Sequence, residues 1–158
     1  MLTSDGWIAV AGSTSAKLLS SSVYVKDGLY DVVQVVTDKN TNILIVKIDA
    51  TGLPVVSFGS GLDLSLGEQL LTSSGEGLFN STSVLEQKWP KGKVVSSDNP
   101  QRRVVLEENS IEQGSVIFDL SGSLVGFSVK EGSVSQMLPI DGVIPALSSL
   151  LENKKIIR

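Results

Sequence analysis

NSIEQGSVIFDLSGSLVGFSV, residues 109–129, couples a polar, Gly-containing loop to two short apolar runs through a second tight turn. Residues 110–115 read as an exposed loop, Val116, Ile117 and Phe118 as a short strand, residues 119–122 as turn chemistry, and residues 124–129 as a second strand. The unit is a β-hairpin behind a loop, because Asp, Ser and Gly supply the tight reversal between two β-prone runs.

Working outward, the rest of the chain carries the same signature. A turn at Asp5-Gly6 precedes an apolar run at residues 7–11, and residues 12–17 are a small, polar loop or a helical turn. Residues 22–26 and 30–36 flank Asp27-Gly28, a pair that accepts the positive φ angles of a two-residue hairpin. Residues 43–48, ILIVKI, form a β-branched run expected to be a buried strand. Further strands are expected at 68–73, 82–87, 93–96, 102–107 and 134–140, with Pro139 confined to an edge or an end. After Asp141, placed to cap a helix, the apolar residues Val143, Ile144, Leu147, Leu150 and Leu151 fall on one helical face. Trp7 and Phe118 are expected in the core, and Trp89 as a packed loop anchor.

Composition narrows the chemistry. At 158 residues the chain suits one sizeable domain or two small subdomains, and 41% hydrophobic residues with a mean hydropathy of +0.21 support a packed core. Thirteen Lys and Arg against 17 Asp and Glu give a net charge of −4, with basic residues gathered only at 88–93, 101–103 and the C-terminal KKIIR. That balance argues against nucleic acid or an anionic membrane as partner; Lys154 and Lys155 suit a solvated helix end. The absence of Cys removes thiolate catalysis, disulfides and Cys-based metal sites. The absence of His excludes a Ser-His-Asp or Cys-His mechanism within the chain and argues against a zinc enzyme; no metal or cofactor is expected. No apolar run approaches a bilayer-spanning length, and the start MLTSDGW lacks the features of a signal peptide, so any export signal is expected upstream.

The order of these segments resembles the HtrA/Deg family of trypsin-like serine proteases. In that family a Gly-Asn-Ser-Gly-Gly-Pro-Leu loop precedes a hairpin ending in a Val/Ile-Gly-Ile strand, as residues 111–129 do here. Gly6-Trp7-Ile8 parallels the family's Gly-Tyr-Ile. The connector at 53–67, LPVVSFGSGLDLSLG, parallels a Leu-Pro…Leu-Gly-Asp-Ser…Gly segment, and the tail matches an Ile-Pro-Ile strand and helix that lead to a PDZ domain. The resemblance runs from Asp5 to Arg158 and implies an all-β, trypsin-like double β-barrel with a C-terminal helix, its first barrel lacking the N-terminal strands. The expected layout of 1–158 is a partial first barrel at about 1–52, a connector at 53–67, a second barrel at 68–140, and the helix and linker start at 141–158.

Carried over residue by residue, the resemblance places the family's general-base His on Ser13, its orienting Asp on Asn42 and its nucleophilic Ser on Gln113. A hydroxyl is too weak a base, an amide carries no charge to support an imidazolium, and a Gln amide does not attack acyl carbon. Ile111 stands where relatives have a Gly that contributes to the oxyanion hole, and a β-branched residue resists positive φ; Ser115 and Val116 replace Gly-Pro. Ser13, Asn42 and Gln113 then read as surface or turn residues. Gly126, Phe127, Ser128 and Val129 correspond to the strand that pairs with substrate backbone, either as a peptide-binding edge or as a plain core strand. The expected function is a non-catalytic pseudoprotease domain binding a protein or extended peptide, outside the cytoplasm, with an upstream membrane anchor, a downstream PDZ domain and oligomerisation as open possibilities. The alternatives are a hydrolase rebuilt around Ser115, paired with a Lys or with Glu112, and a purely structural domain of a larger envelope protein.

Overall fold

The computed structural model describes residues 3–11, 19–25, 28–37, 43–73, 79–88, 103–107, 111–145, 148–149 and 152. Within them the chain is built from ten strands: β1 (Trp7–Ala11), β2 (Ser22–Val25), β3 (Gly28–Thr37), β4 (Ile43–Ile48), β5 (Gln69–Ser73), β6 (Phe79–Lys88), β7 (Arg103–Leu106), β8 (Val116–Asp119), β9 (Leu124–Glu131) and β10 (Val134–Pro139). They divide into two compact units, Met1–Val56 and Ser57–Arg158.

The first unit is a four-stranded antiparallel sheet in the order β1-β4-β3-β2. Gly28 pairs with Val25 to close the β2–β3 hairpin, and the pairing runs on to Ser22 and Asp31. A register shift between Val32 and Gln34 bends β3 against β4. Alternation puts Val32, Val46 and Ile48 on one face, where Ala50 and Leu53 complete a cluster. Ile8, Val10, Val23, Val25, Tyr30 and Val35 pack against it half-buried. Trp7, 1% exposed, is a core residue as its sequence setting implies.

The second unit closes completely, as a barrel in the cyclic order β10-β7-β6-β5-β8-β9. Its interior holds Leu64, Leu70, Val84, Val104, Leu106, Ile111, Ile117, Val125 and Met137. Gly126 is obligatory there: a Cβ would collide with the Met137 side chain and the Leu138 carbonyl, so a side chain at this point would part β9 from β10. Phe118 departs from expectation. With Ile117 in the core, alternation turns Phe118 to the opposite face of β8, where it is half-buried and its ring meets that of Phe79 at 6.4 Å between centroids.

Residues 57–61 are stitched to this barrel rather than left as a free connector. Phe58 bridges Leu124 in parallel, Leu124 N–H donates to Ser57 C=O at 2.8 Å, and Gly59 N–H donates to Leu124 C=O at 2.9 Å. After β10 the chain makes a 3-10 turn, Ile140–Gly142, and Ile144, Pro145, Ser148, Ser149 and Glu152 are helical. Asp141 does not cap that helix. Its carboxylate accepts from Ser60 Oγ at 3.0 Å and from Gly61 N–H at 2.8 Å, which ties the end of β10 to residues 60–61. The strand expected at 93–96, Trp89 and the basic tail lie outside the described residues.

Candidate functional site

The loop that precedes β8 is shaped by three neighbouring residues and one buried hydroxyl. Glu112 C=O accepts from Ser115 N–H at 3.2 Å, closing a four-residue turn whose third residue, Gly114, has φ 89°. A positive φ at that place is the requirement of a type II turn, which explains why Gly stands there. Ile111 meanwhile drops into the barrel core, 6% exposed. A large apolar side chain so placed anchors the loop from below, a task a Gly could not perform.

Ser128, 1% exposed on β9, fixes the loop from the other side. Its hydroxyl donates to Glu112 C=O and accepts from Ser115 N–H at 3.0 Å. Its backbone also serves the loop: Gly114 N–H donates to Ser128 C=O at 2.9 Å, and Ser128 N–H to Ser115 C=O at 2.9 Å. The Glu112 carbonyl therefore points inward. In a trans peptide the carbonyl and the following N–H point in opposite directions, so Gln113 N–H is aimed outward at the loop tip. One of the two donors that an oxyanion hole needs is thus in an outward position, on an exposed residue. The side chain offered beside it is a carboxamide, which is no nucleophile.

Ser115 is 7% exposed, and its backbone partners are Glu112 C=O and Ser128, neither of them a base. Ser13 and Asn42 lie outside the described residues. Among the described residues no group of three or more Asp or Glu side chains could hold a metal ion.

The strip Gly126, Phe127, Ser128 and Val129 is occupied on its edges. Gly126 and Phe127 pair with Ile117 and Val116 on one side and with Pro139 and Leu138 on the other. Ser128 is held by Gly114 and Ser115, and Val129 pairs with Gln136. Strand periodicity gives Lys130 the same edge as Ser128, one step beyond the loop, so the first outward N–H and C=O on this edge are those of Lys130. Residue-type reasoning placed Ser128 in the candidate peptide-binding strip but not as the anchor of the loop, and it missed Lys130; a lone Ser between Phe127 and Val129 in an apolar strand was the signal for a buried, committed hydroxyl.

Next to this edge, Glu131 accepts from Gln136 Nε2 at 2.7 Å. Burial pulls the Arg103 guanidinium below its ordinary range, and the Glu131 charge opposes that shift.

Solved structures share the fold. The HtrA-type protease AlgW with a bound tripeptide superposes over 98% of this chain and 55% of its own, with a TM-score of 0.71 and 16% identity. The fold is that of an HtrA-type, trypsin-like protease domain. The Rv3671c protease of M. tuberculosis in its active form superposes over 93% of this chain and 70% of its own, with a TM-score of 0.65 and 18% identity. In sequence, the chain is similar to proteins described as "probable periplasmic serine endoprotease DegP-like". One from Pseudomonas putida (strain W619) is 24% identical across 100% of this chain and 35% of its own length; another, from Hahella chejuensis, is 24% identical across 77% and 28%. The chain therefore spans about a third of these curated relatives. No protein-family model matches it.

Proposed function

We propose that this HtrA-type domain is catalytically inactive and works by binding a protein or extended peptide. The observation that carries the reading is the loop before β8, where Gln113 is the exposed residue at the tip and the neighbouring Ser115 is buried, in a chain without a single histidine. A proton acceptor of suitable strength and a nucleophile are the two things acyl transfer by this fold requires. Ser13, Asn42 and Gln113 supply neither from the positions that the family uses. Ser115 does not favour a rebuilt enzyme, since its surroundings hold it as part of a turn.

What the fold retains is the strand. The run Gly126–Val129 leads to the outward N–H and C=O of Lys130, and an extended peptide adding there would continue the barrel by backbone hydrogen bonds. The AlgW structure named above holds a tripeptide, which supports a peptide partner for a domain of this fold. The description of its relatives as periplasmic supports a place of work in the periplasm or cell envelope. An upstream anchor, a downstream PDZ domain and assembly into oligomers belong to the same proposal.

The test is a peptide array read with the 158-residue chain and with Lys130→Pro, which removes the outward N–H without removing a ladder bond. Saturable binding that weakens about tenfold or more in the variant supports the reading. Equal binding by both proteins, or none by either, would leave the strand as core only and contradict it.

A further inference from the structure

The β9 edge is short, and its shortness decides how a peptide can lie on it. Ser128 commits its N–H and C=O to Ser115 and Gly114, and Glu131 pairs with Val134 across a tight turn in which Gly132 has φ 65°. Between the loop and that turn, Lys130 is the residue whose N–H and C=O both face outward. An antiparallel strand satisfies both groups with one of its own residues, because a hydrogen-bonded antiparallel pair exchanges both bonds; a parallel strand would need two residues. The ladders that close the barrel are antiparallel as well.

Register follows from that. With one peptide residue opposite Lys130, the residue before it lies opposite Glu131 and the residue after it opposite Val129. Side chains directly opposite each other share a face, with Cβ atoms about 4.5–5.5 Å apart. β9 offers a different chemistry at each of the three places. Lys130 is exposed and carries its cation on the face of Ser128 and Ser135. Glu131, also exposed, lies on the opposite face with Val129 and Gln136. Its Oε2 accepts from Gln136 Nε2 at 2.7 Å, and Gln136 is 5% exposed, so a buried side chain of β10 holds the carboxylate in place. Arg103, the cation that acts on Glu131, stands on β7 with β10 between it and β9, on the far side from an added strand. Val129 is apolar and half-buried.

We infer that the partner is an extended peptide segment that reads, from N- to C-terminus, basic, acidic, apolar: Lys or Arg opposite Glu131, Asp or Glu opposite Lys130, and an aliphatic residue opposite Val129. The inference rests on the peptide-binding reading of this edge and adds to it the side chains that the edge selects. Opposite charges facing across two strands stabilise the pairing and like charges oppose it, so the order of the residues is recognised rather than their composition. The same rule disfavours a second copy of this chain on the edge. Antiparallel pairing of Val129-Lys130-Glu131 with itself sets Lys130 against Lys130 and Val129 against Glu131.

The experiment uses the 158-residue chain and two short, end-capped peptides of identical composition, with Lys-Glu-Val or Glu-Lys-Val at the centre of a Thr and Ser background. The expected result, read by fluorescence anisotropy, is saturable binding of both, with Lys-Glu-Val tighter by about fivefold or more and the preference shrinking at high salt. Exchanging the charges, Lys130→Glu with Glu131→Lys, is expected to reverse the order. Lys130→Glu alone is expected to level it, and serves should the double variant fail to fold. Saturable but equal binding of the two peptides by the parent chain, or a preference that survives both variants, would overturn the inference and leave the edge a binder of backbone alone. No binding of either peptide would overturn it together with the peptide-binding reading.

Discussion

Asp119 shows how much of this fold rests on single polar side chains. It opens the β8–β9 turn, where its Oδ1 accepts from Ser121 N–H at 2.8 Å, Ser121 Oγ at 2.6 Å and Ser123 N–H at 2.9 Å. Slight burial disfavours the charged form, but hydrogen bonds from Ser121, Ser123 and Gly122 outweigh it and hold the carboxyl below its ordinary range. A carboxylate depressed on folding adds stability that is fully present above its unfolded pKa, about 3.9, and is lost as pH falls through the folded value. Asp119→Asn is therefore expected to lower the melting temperature at pH 7, with the difference from the parent shrinking as pH drops below about 4. A difference that stays constant into acid would mean that the charge is not what the turn uses. Ser128 matters in the same way: a buried hydroxyl that both donates and accepts costs more to remove than a surface one, and here it sets the direction of the Gln113 N–H.

At the scale of elements, alternation decides what each strand contributes. Ile117 lies at 0% exposure inside the barrel and Phe118, next in sequence, on its outer face. Ile117→Ala is expected to cost about 2–5 kcal/mol and Phe118→Ala about 1–2 kcal/mol, measured by chemical denaturation. A larger loss at Phe118 would mean that the outer face of β8 is packed. Most strands were legible from β-branched runs cut by turn residues; Gly122 sits at a positive φ where its turn demanded, whereas Gly28 is not the turn residue its sequence setting implied but the first residue of β3, paired with Val25. Phe118 was not, since an aromatic in a three-residue apolar run gives no phase until its neighbour is known to face inward. Asp141 misled for a related reason: a residue placed to cap a helix was claimed by Ser60 and Gly61, some 80 positions earlier, and no local pattern reports such a partner.

For the molecule as a whole, the sequence carried the class of fold through the order of its weak signals rather than through any one motif. The trypsin-like architecture and the likeness to HtrA-type structures agree with that order. The site was less legible, because what shapes it is backbone direction. Gly114 at positive φ, Ile111 sunk in the core and the Ser128 hydroxyl together build a well-made loop around a residue that cannot attack. Such a loop supports the proposal of a scaffold kept without its chemistry. The claim is met most directly by exposing the purified chain to a fluorophosphonate serine probe and reading its intact mass. The account predicts an unmodified mass; an adduct that maps to Ser115 would contradict it.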